Sequence, residues 1–439
     1  LVGIIPRAHD GPVLTTAYDY ASNTLATAGS DGVNVIWNVG FSNESKLQHN
    51  ILKTIELNPQ QTGGGEPCSL TWQSPFGQNE TLIMGFTSNS VVEIRVDASE
   101  LTLLITAHSG VTEALAVHPE KPYYVTAGRE RYIRVWDCAT RALLCRGRLH
   151  APATCVDWSP DGNTLAVGTA AGDFAILRVG DDGGATTGLE SVLVKQTLRA
   201  QRSLQGTSKL GKKKMSPMER KMRHTREAGG PKRLGKPFKK FEEVQDLKFS
   251  PNGAMLAVGS RDNNIYIYNV SQNYKLSGIC RGHSSFISHI DWNQDNTMIQ
   301  TNDGAYELLY WNAETCKQHT SSYTMRDAAW ATWTCTMGWP VQGVWRDNSD
   351  GTDVNSCHRS SAGDVVVTAD DFGMVRLFPF PALRGDGRGK GQLPQHKAYR
   401  GHMSHVMNVR FLSHDTHVIS AGGNDCCVFQ WRHINADGS

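Results

Sequence analysis

The stretch that decides the fold runs from GHMSHVMNVRF at residues 401–411 to VFQW at residues 428–431. A Gly-His turn opens it, apolar residues then alternate with polar ones, and a tryptophan closes it. The same pattern begins at AHDGPV (8–13), AHSGVTEALAVHP (107–119) and GHSSFISHIDW (282–292). From histidine to tryptophan the four copies span 28, 28, 28 and 29 residues in chain order. Such regular spacing indicates an internal repeat.

Four further units keep the same strand rhythm but lack this signature. They begin at CSLTW (68–72), TCVDWSPDG (154–162), VQDLKFSPNG (244–253) and TWTCTMGW (332–339). Short alternating stretches bounded by Gly, Asn, Asp and Pro turns are typical of antiparallel strands. Together with a period of about 40–45 residues, the pattern predicts an all-β chain, a WD-repeat β-propeller.

The histidine, aspartate and tryptophan of the repeat are interpreted as structural. Buried polar groups satisfy one another by hydrogen bonds, and residues scattered over several repeats do not make a catalytic constellation. An aspartate precedes the tryptophan by six residues in the first and last copies, whereas Glu130 and Ala305 occupy that position in the other two, which indicates a degraded set there. The predicted structural residues are His9, Asp31, Trp37, His108, Trp136, His283, Trp311, His402, Asp425 and Trp431.

Motifs for catalysis, cofactors and metals are missing from the sequence. It contains no Walker loop, no H-E-x-x-H and no G-x-S-x-G elbow. The ten cysteines are spread thinly without a C-x-x-C pair, and no apolar run reaches the roughly 18 residues that a membrane helix needs. We therefore expect neither an enzyme nor a metal or cofactor site, and no membrane partner.

The number of blades depends on how the last one is completed, because RHINADGS after Trp431 is too short for a good outer strand. Leu1–Ile5 could supply that strand and close a single eight-bladed ring. Ile51–Leu57 could supply it instead and close seven blades. The second option is favoured, which assigns residues 1–50 to the terminal unit of a preceding propeller and residues 51–439 to the propeller itself.

Charge is distributed very unevenly along the chain. Fifteen basic and two acidic residues lie between Arg199 and Lys240, a net +13, which leaves −11 for the rest of a chain whose total is +2. This segment forms a basic insert, residues 198–241, between two blades. Ser216, Pro217 and Glu219 form an S-x-x-E capping box, and Gly229-Gly230-Pro231 provides a stop, so a short helix is predicted over 217–228.

Four strings carry a resemblance that is more specific than the repeat. GHSSFISHIDW (282–292), TNDGAYELLYWN (301–312), GVWRDNSDGTDVNS (343–356) and ADDFGMVRLF (369–378) resemble the echinoderm-microtubule-associated-protein-like family. The resemblance implies a tandem of propellers whose second ring is this chain, and a non-catalytic function in binding tubulin or microtubules. The basic insert departs from the family, whose members have a short connection at this point.

Three interpretations of the basic insert compete: a solvated loop, a contact with acidic tubulin, and a nucleic-acid or nuclear-import element. Nucleic acid is disfavoured because Phe238 is the insert's only aromatic residue for base stacking. The predicted tubulin-binding residues are Lys209, Lys212, Lys213, Lys214, Arg220, Lys221, Arg223, Arg226, Lys232, Arg233, Lys236, Lys239 and Lys240.

At the level of the whole chain, the sequence favours a microtubule-associated protein of the cytoplasmic cytoskeleton, with the cilium or flagellar axoneme and other axonemal proteins as further expectations. The alternative is a generic WD-repeat scaffold, either a peptide-recruiting adaptor or a nuclear assembly factor.

Overall fold

The part of the chain that the structure describes forms thirty-one strands in eight small antiparallel sheets. A computed structural model describes residues 4–42, 47–73, 80–179, 197–199, 242–347, 349–350, 353–385 and 391–434. The helical segments among these residues are short: α1 (Pro59–Thr62), α2 (Ser322–Met325) and two 3-10 segments, Trp339–Val344 and Ser413–Asp415. The predicted helix 217–228 and nearly all of the basic insert lie outside the described residues.

The strands follow one another in chain order within each sheet. Sheet 1 contains β1 (Val13–Asp19), β2 (Thr24–Gly29), β3 (Val33–Phe41) and β4 (Leu47–Glu56). Sheet 2 contains β5 (Pro67–Trp72), β6 (Thr81–Phe86), β7 (Val91–Arg95) and β8 (Glu100–Ile105). Sheet 3 contains β9 (Ala114–Val117), β10 (Tyr123–Ala127), β11 (Tyr132–Asp137) and β12 (Leu143–Arg148). Sheet 4 contains β13 (Ala153–Trp158), β14 (Thr164–Thr169), β15 (Asp173–Arg178) and β16 (Thr197–Arg199).

The remaining sheets lie after the basic insert. Sheet 5 contains β17 (Val244–Phe249), β18 (Met255–Ser260), β19 (Asn264–Asn269) and β20 (Lys275–Arg281). Sheet 6 contains β21 (Ile287–Trp292), β22 (Met298–Asp303), β23 (Leu308–Asn312) and β24 (Gln318–His319). Sheet 7 contains β25 (Val354–Arg359), β26 (Val365–Asp370), β27 (Met374–Pro379) and β28 (Lys397–Arg400). Sheet 8 has three strands, β29 (Val406–Phe411), β30 (His417–Gly422) and β31 (Val428–Arg432).

Turn chemistry explains why the predicted strands form where they do. The SPDG and SPNG turns join the first two strands of sheets 4 and 5, and their last glycines, Gly162 and Gly253, have φ of 71° and 69°. A side chain at such a φ is strained, so glycine is the residue that allows the chain to reverse there. The strands on either side alternate or are wholly apolar and fill the core.

The chain divides into two compact units. The first contains sheets 1, 2, 3, 7 and 8. Within it, sheets 1 and 2 share a core that includes Ala26, Ile36, Leu82 and Ile94. Sheet 8 packs on one side against sheet 7 through β29 and β25, and on the other side against sheet 3 through β29 and β9.

The second unit contains sheets 4, 5 and 6. Strand β17 packs against β14 and β21, so each sheet stacks on its neighbour. Phe174, Leu247 and Val258 fill the core between sheets 4 and 5, whereas Ile267, Ile290 and Trp311 belong to the core between sheets 5 and 6. The basic insert therefore begins and ends in this unit, between sheets 4 and 5.

The segment Ile51–Leu57 does not complete the last sheet, and that prediction is wrong. Its residues 51–56 belong to β4, which pairs with β3 along its whole length as the fourth strand of sheet 1. A domain boundary at residue 51 would cut this strand, because β3 and β4 extend one long hairpin. Residues 1–3 of the other predicted closing strand lie outside the described residues. The division into a preceding and a complete propeller, and the blade count, stay predictions.

Candidate functional site

In four sheets a histidine, a hydroxyl residue, a tryptophan and an acidic residue contact one another. Sheet 8 gives the pattern: His402 Nε2 lies 2.8 Å from Ser420 Oγ, and the same oxygen accepts a 2.8 Å hydrogen bond from Trp431 Nε1. On the other side of the ring, His402 Nδ1 lies 2.9 Å from Asp425 Oδ2. Sheet 8 thus joins its opening turn, its middle strand, its second turn and its last strand through one set of side chains.

Sheet 1 repeats this arrangement. His9 Nδ1 lies 3.0 Å from both carboxylate oxygens of Asp31, and His9 Nε2 lies 2.9 Å from Thr27 Oγ1. Trp37 Nε1 donates to Thr27 Oγ1 over 2.9 Å. The residues that the repeat places at fixed spacing therefore meet around one hydroxyl group.

An acid also lies beside the histidine in sheets 3 and 6, so the expectation that these sets have lost it is wrong. In sheet 3, Glu130 replaces the aspartate and contacts His108 Nδ1, while Arg134 donates to Glu130 Oε1 over 2.7 Å. In sheet 6 the acid is Asp303, two residues before Ala305, with Oδ2 at 3.1 Å from His283 Nδ1. A longer side chain or a shifted position brings a carboxylate to the same place.

The hydroxyl residue was missed by sequence reasoning. Thr126 and Thr301 accept hydrogen bonds of 2.8 and 2.9 Å from Trp136 Nε1 and Trp311 Nε1. In all four sets the hydroxyl residue follows the histidine by 18 residues. That constant spacing of a Ser or Thr was the signal that could have found it.

The electrostatics of the sets favour neutral histidines. Burial lowers the pKa of His108, His283 and His402, because it disfavours the charged imidazolium, and the neighbouring carboxylates oppose this only in part. Burial raises the pKa of Glu130, but the hydrogen bond and charge of His108, together with Arg134, outweigh it and bring that pKa below its usual value. These shifts favour a neutral ring for His108, His283 and His402 and an ionised carboxyl for Glu130.

These sets have a structural role, because their side chains are buried and form hydrogen bonds with one another. The His9, His108, His283 and His402 side chains are at most 1% exposed, so they are closed to a substrate. Both ring nitrogens of each histidine have hydrogen-bond partners within the same sheet, except that His283 Nδ1 has none. A nucleophile or general base needs an accessible reacting atom, which these histidines do not present.

The basic insert leaves and re-enters the second unit at well-anchored points. Arg199 ends β16 opposite Asp173, the first residue of β15, and Val244 begins β17 opposite Ser260. Val244 is fully buried, and its carbonyl accepts a 2.6 Å bond from Thr154 Oγ1. Both anchors lie at the sheet end where the second and third strands are joined. The predicted tubulin-binding residues Lys209 to Lys240 lie outside the described residues.

An apolar groove runs along the outer edge of sheet 8, where a fourth strand would pair. This edge groove has a volume of about 1000 Å³ and is lined by β27, β28 and β31, with Val375, Leu377 and Trp431 in its wall. Within the described part of the chain, β31 pairs only with β30. The exposed charged residues of its lining, which form its rim, are two basic residues, Lys397 and Arg432, and one acid, Asp364.

Two general findings bear on the remaining site predictions. None of the ten cysteines, which all lie in the described residues, forms a disulfide bond, and six of them are buried (Cys138, Cys145, Cys155, Cys280, Cys335 and Cys357). Of the helices in the described residues, none is long and apolar enough to cross a membrane.

Comparison with known proteins identifies the repeats and tests the resemblance to a family. Residues 99–137 and 144–176 match the WD domain, G-beta repeat, and residues 233–433 match the echinoderm microtubule-associated protein second beta-propeller. With the eight sheets, the first match confirms the predicted all-β, WD-repeat β-propeller class. The second match covers all four strings that carry the resemblance in full.

Full-length relatives align over nearly the whole chain. Echinoderm microtubule-associated protein-like 2 of Rattus norvegicus is 35% identical over 428 residues, which cover 97% of this chain and 55% of that protein. Echinoderm microtubule-associated protein-like 3 of Homo sapiens is 32% identical, covering 100% of this chain and 41% of that protein. The chain spans about half the length of the curated relatives it matches. The resemblance seen in the sequence is thereby confirmed: over nearly its whole length the chain is similar to proteins of the echinoderm microtubule-associated protein-like family.

Proposed function

We propose that this chain is a non-catalytic microtubule-associated platform that binds tubulin through its rigid sheets and its basic insert. The observation that carries the proposal is the 31–35% identity, over 97% or more of the chain, to proteins whose names describe microtubule association. A likeness that spans every sheet supports a shared platform better than a likeness confined to one repeat.

Electrostatics supports a role for the basic insert. The chain outside it carries −11, so an acidic partner such as tubulin would repel the body, whereas the insert's +13 would attract it. The anchors at Arg199 and Val244 are parts of paired strands, so the insert is tethered at both ends to a rigid sheet pair. Attraction between exposed charges is screened by salt, with a Debye length of about 8 Å at 0.15 M and about 30 Å at 0.01 M.

Co-sedimentation with microtubules tests the proposal. The full chain is compared with a variant in which residues 201–240 are replaced by a short Gly-Ser linker, which leaves β16 and β17 intact. We expect at least a tenfold loss of affinity at low ionic strength and a flatter salt dependence. Undiminished and equally salt-sensitive binding by the variant would rule out the insert as the tether, and no binding by either protein would rule out the microtubule function.

A charge-matched pair of variants separates the insert from net charge. Lys212, Lys213 and Lys214 are changed to Gln in one protein, and the exposed Lys121, Lys275 and Lys317 are changed to Gln in the other. Both lose three positive charges. We expect only the first to sediment more weakly, because net charge alone acts equally in both. Equal loss in the two proteins would assign the effect to overall charge.

We place the protein in the cytoplasmic cytoskeleton, with the axoneme as a specialised site and axonemal proteins as further partners. Expression of the fluorescently tagged chain in ciliated cells tests both the cytoskeletal and the axonemal location. Label on cytoplasmic microtubules but not on axonemes would remove the axonemal part alone.

The edge groove favours a second candidate function, a scaffold that recruits an extended peptide as the fourth strand of sheet 8. The edge of β31 that has no partner strand among the described residues would supply backbone hydrogen bonds, and the apolar wall would take alternate apolar side chains. Because Lys397 and Arg432 dominate the rim, the fitting peptide has acidic residues flanking its apolar core.

Synthetic peptides with alternating valines and either Asp or Lys flanks test this scaffold. We expect the Asp-flanked peptide to bind at least tenfold more tightly, and the double variant Lys397→Glu with Arg432→Glu to reverse the preference. The control reverses two exposed charges elsewhere, Arg281→Glu with Lys317→Glu, and should keep it. Failure of both peptides, or a preference that ignores the rim, would exclude the peptide-recruiting function.

A further inference from the structure

The set in sheet 6 differs from the other three by a second carboxylate beside the histidine. His283 Nδ1 lies 3.1 Å from Asp303 Oδ2 and 3.9 Å from Glu307 Oε2. One ligand atom from each of the three residues lies within 4.8 Å of the other two. The side chains of His283 and Asp303 are fully buried, and that of Glu307 is 37% exposed.

The Nδ1 atom of His283 has no hydrogen-bond partner despite these neighbours. In the other three sets the corresponding nitrogen is hydrogen bonded. His283 Nε2 lies 2.7 Å from Thr301 Oγ1, which in turn can donate its own proton to Leu309 O at 3.4 Å. With the ring proton on Nε2, the Nδ1 lone pair is directed toward carboxylates that are also acceptors, an arrangement that a cation would stabilise.

Backbone hydrogen bonds hold both carboxylates in position. Asp303 Oδ1 accepts from the amides of Ala305 and Glu307, at 3.0 and 2.9 Å. Glu307 Oε2 accepts from the Ser284 amide and Oε1 from the Ser284 hydroxyl, both at 3.1 Å. Such outer contacts orient ligands in metal sites, so little reorganisation is needed when a cation arrives.

We propose that His283, Asp303 and Glu307 bind one Zn²⁺ ion, with a water molecule as the fourth ligand. Bonds of about 2.0–2.2 Å in tetrahedral geometry separate ligand atoms by roughly 3.3–3.6 Å. The observed separations of 3.1 and 3.9 Å lie on either side of that range, and half-exposed Glu307 can make the required shift. One imidazole and two carboxylates suit Zn²⁺ better than Ca²⁺ or Mg²⁺, which prefer oxygen ligands alone.

The sequence predicted no metal site because Glu307 and Asp303 belong to no ligand motif, and only folding brings them to His283. The ion would tie the turn before β21 to the turn between β22 and β23.

Metal loading of the full chain tests the site. The protein is stripped with a chelator, and Zn²⁺ alone is titrated in, with Ca²⁺ as the comparison. We expect one Zn²⁺ per chain, no Ca²⁺ binding in the same range, and a melting temperature that rises with free Zn²⁺. Glu307→Gln keeps the size of a half-exposed side chain and should weaken binding at least about 100-fold, as loss of a direct ligand requires. The matched control, Glu314→Gln at an exposed position, should bind as the unchanged chain does.

Cobalt distinguishes this site from the cysteines. Co²⁺ bound by nitrogen and oxygen gives visible bands without the intense near-ultraviolet absorption of a thiolate complex, and that spectrum is expected here. A thiolate spectrum, equal Zn²⁺ affinity in Glu307→Gln and Glu314→Gln, or no Zn²⁺ binding by the unchanged chain would each overturn the proposal.

Discussion

Two kinds of polar network hold the sheets, and they act in different directions. The four His–hydroxyl–Trp–acid sets join strands within one sheet, as in His402, Ser420 and Trp431. In the second unit, buried or half-buried aspartates of the first strands instead join one sheet to the next segment. Asp157 accepts from the amide of Phe249 over 2.8 Å, and Asp246 from that of Ile290 over 2.8 Å.

The third of these aspartates, Asp291, carries the most bonds. It is fully buried, and it accepts from the amides of Thr334 and Cys335 and from the hydroxyl groups of Thr332 and Thr334. Loss of a within-sheet set therefore affects one sheet. Loss of Asp291 instead leaves backbone amides of a segment outside its sheet without a hydrogen-bond acceptor. The comparison predicts a graded series of effects.

The largest effect is expected from Asp291→Ala. Two buried amides, of Thr334 and Cys335, lose their acceptor, at about 1–3 kcal/mol each. We expect the free energy of unfolding to fall by roughly 2–6 kcal/mol in urea denaturation. Asp295→Ala, at an exposed position of the following turn, should change it by no more than about 0.5 kcal/mol. A loss below about 1 kcal/mol for Asp291→Ala would show that the bridges are dispensable.

A smaller effect is expected within a set, from Thr301→Val. The substitution keeps the shape but removes the acceptor of Trp311 Nε1 and the partner of His283 Nε2. We expect a loss of about 2 kcal/mol, measured by the same denaturation. Thr320→Val, on the exposed segment after β24, is the control. If Thr301→Val matched its control, the hydroxyl would not be the centre of the set.

The sets should also make stability depend on pH. His108, His283 and His402 have lowered pKa values in the folded state, so the unfolded chain binds more protons as the pH falls below about 6.5. Their contribution to stability is present above pH 6.5 and decreases as the pH drops, by at most about 1.4 kcal/mol per pH unit for each histidine. Denaturation between pH 7.5 and 5.5 measures this slope, and His402→Gln should reduce it. A slope of the opposite sign would contradict the buried, neutral histidines.

The smallest effect is expected at a surface ion pair. Arg95 and Glu100 pair over 3.0 Å on the hairpin of β7 and β8, with both side chains more than half exposed. Arg95→Gln should cost about 0.2–1 kcal/mol at low salt and less at high salt, because solvent screens the pair. A salt-independent loss above that range would indicate a structural role that the exposure does not suggest.

Local patterns were sufficient for much of the fold. Alternation and Gly, Asn and Asp turns predicted the strands, because each sheet is a meander of consecutive strands joined by short turns. The predicted role of Ile51–Leu57 was wrong because period-two patterning identifies a strand without its partner, and β3 had an open edge nearer in the chain.

Within the sets, the histidines and tryptophans were predictable from fixed spacing, whereas the acids were not. Glu130 reaches His108 with a longer side chain, and Asp303 reaches His283 from a shifted position in the turn. Sequence spacing fixes the Cα position but not the reach of a side chain. The sequence therefore wrongly indicated that sheets 3 and 6 lack the acid, although a carboxylate contacts the histidine in both.

The sequence by itself determined the class of the fold, the resemblance to a family and the concentration of positive charge in one insert, because repeats, motifs and charges can be read directly from the order of the residues. Only the tertiary structure decided which carboxylate serves each histidine, that Asp291 holds a segment more than 40 residues away, and that Glu307 joins His283 and Asp303. These contacts depend on turn geometry and on the stacking of sheets. Neither turn geometry nor stacking produces a periodic pattern in the sequence, so the contacts could not be predicted from it.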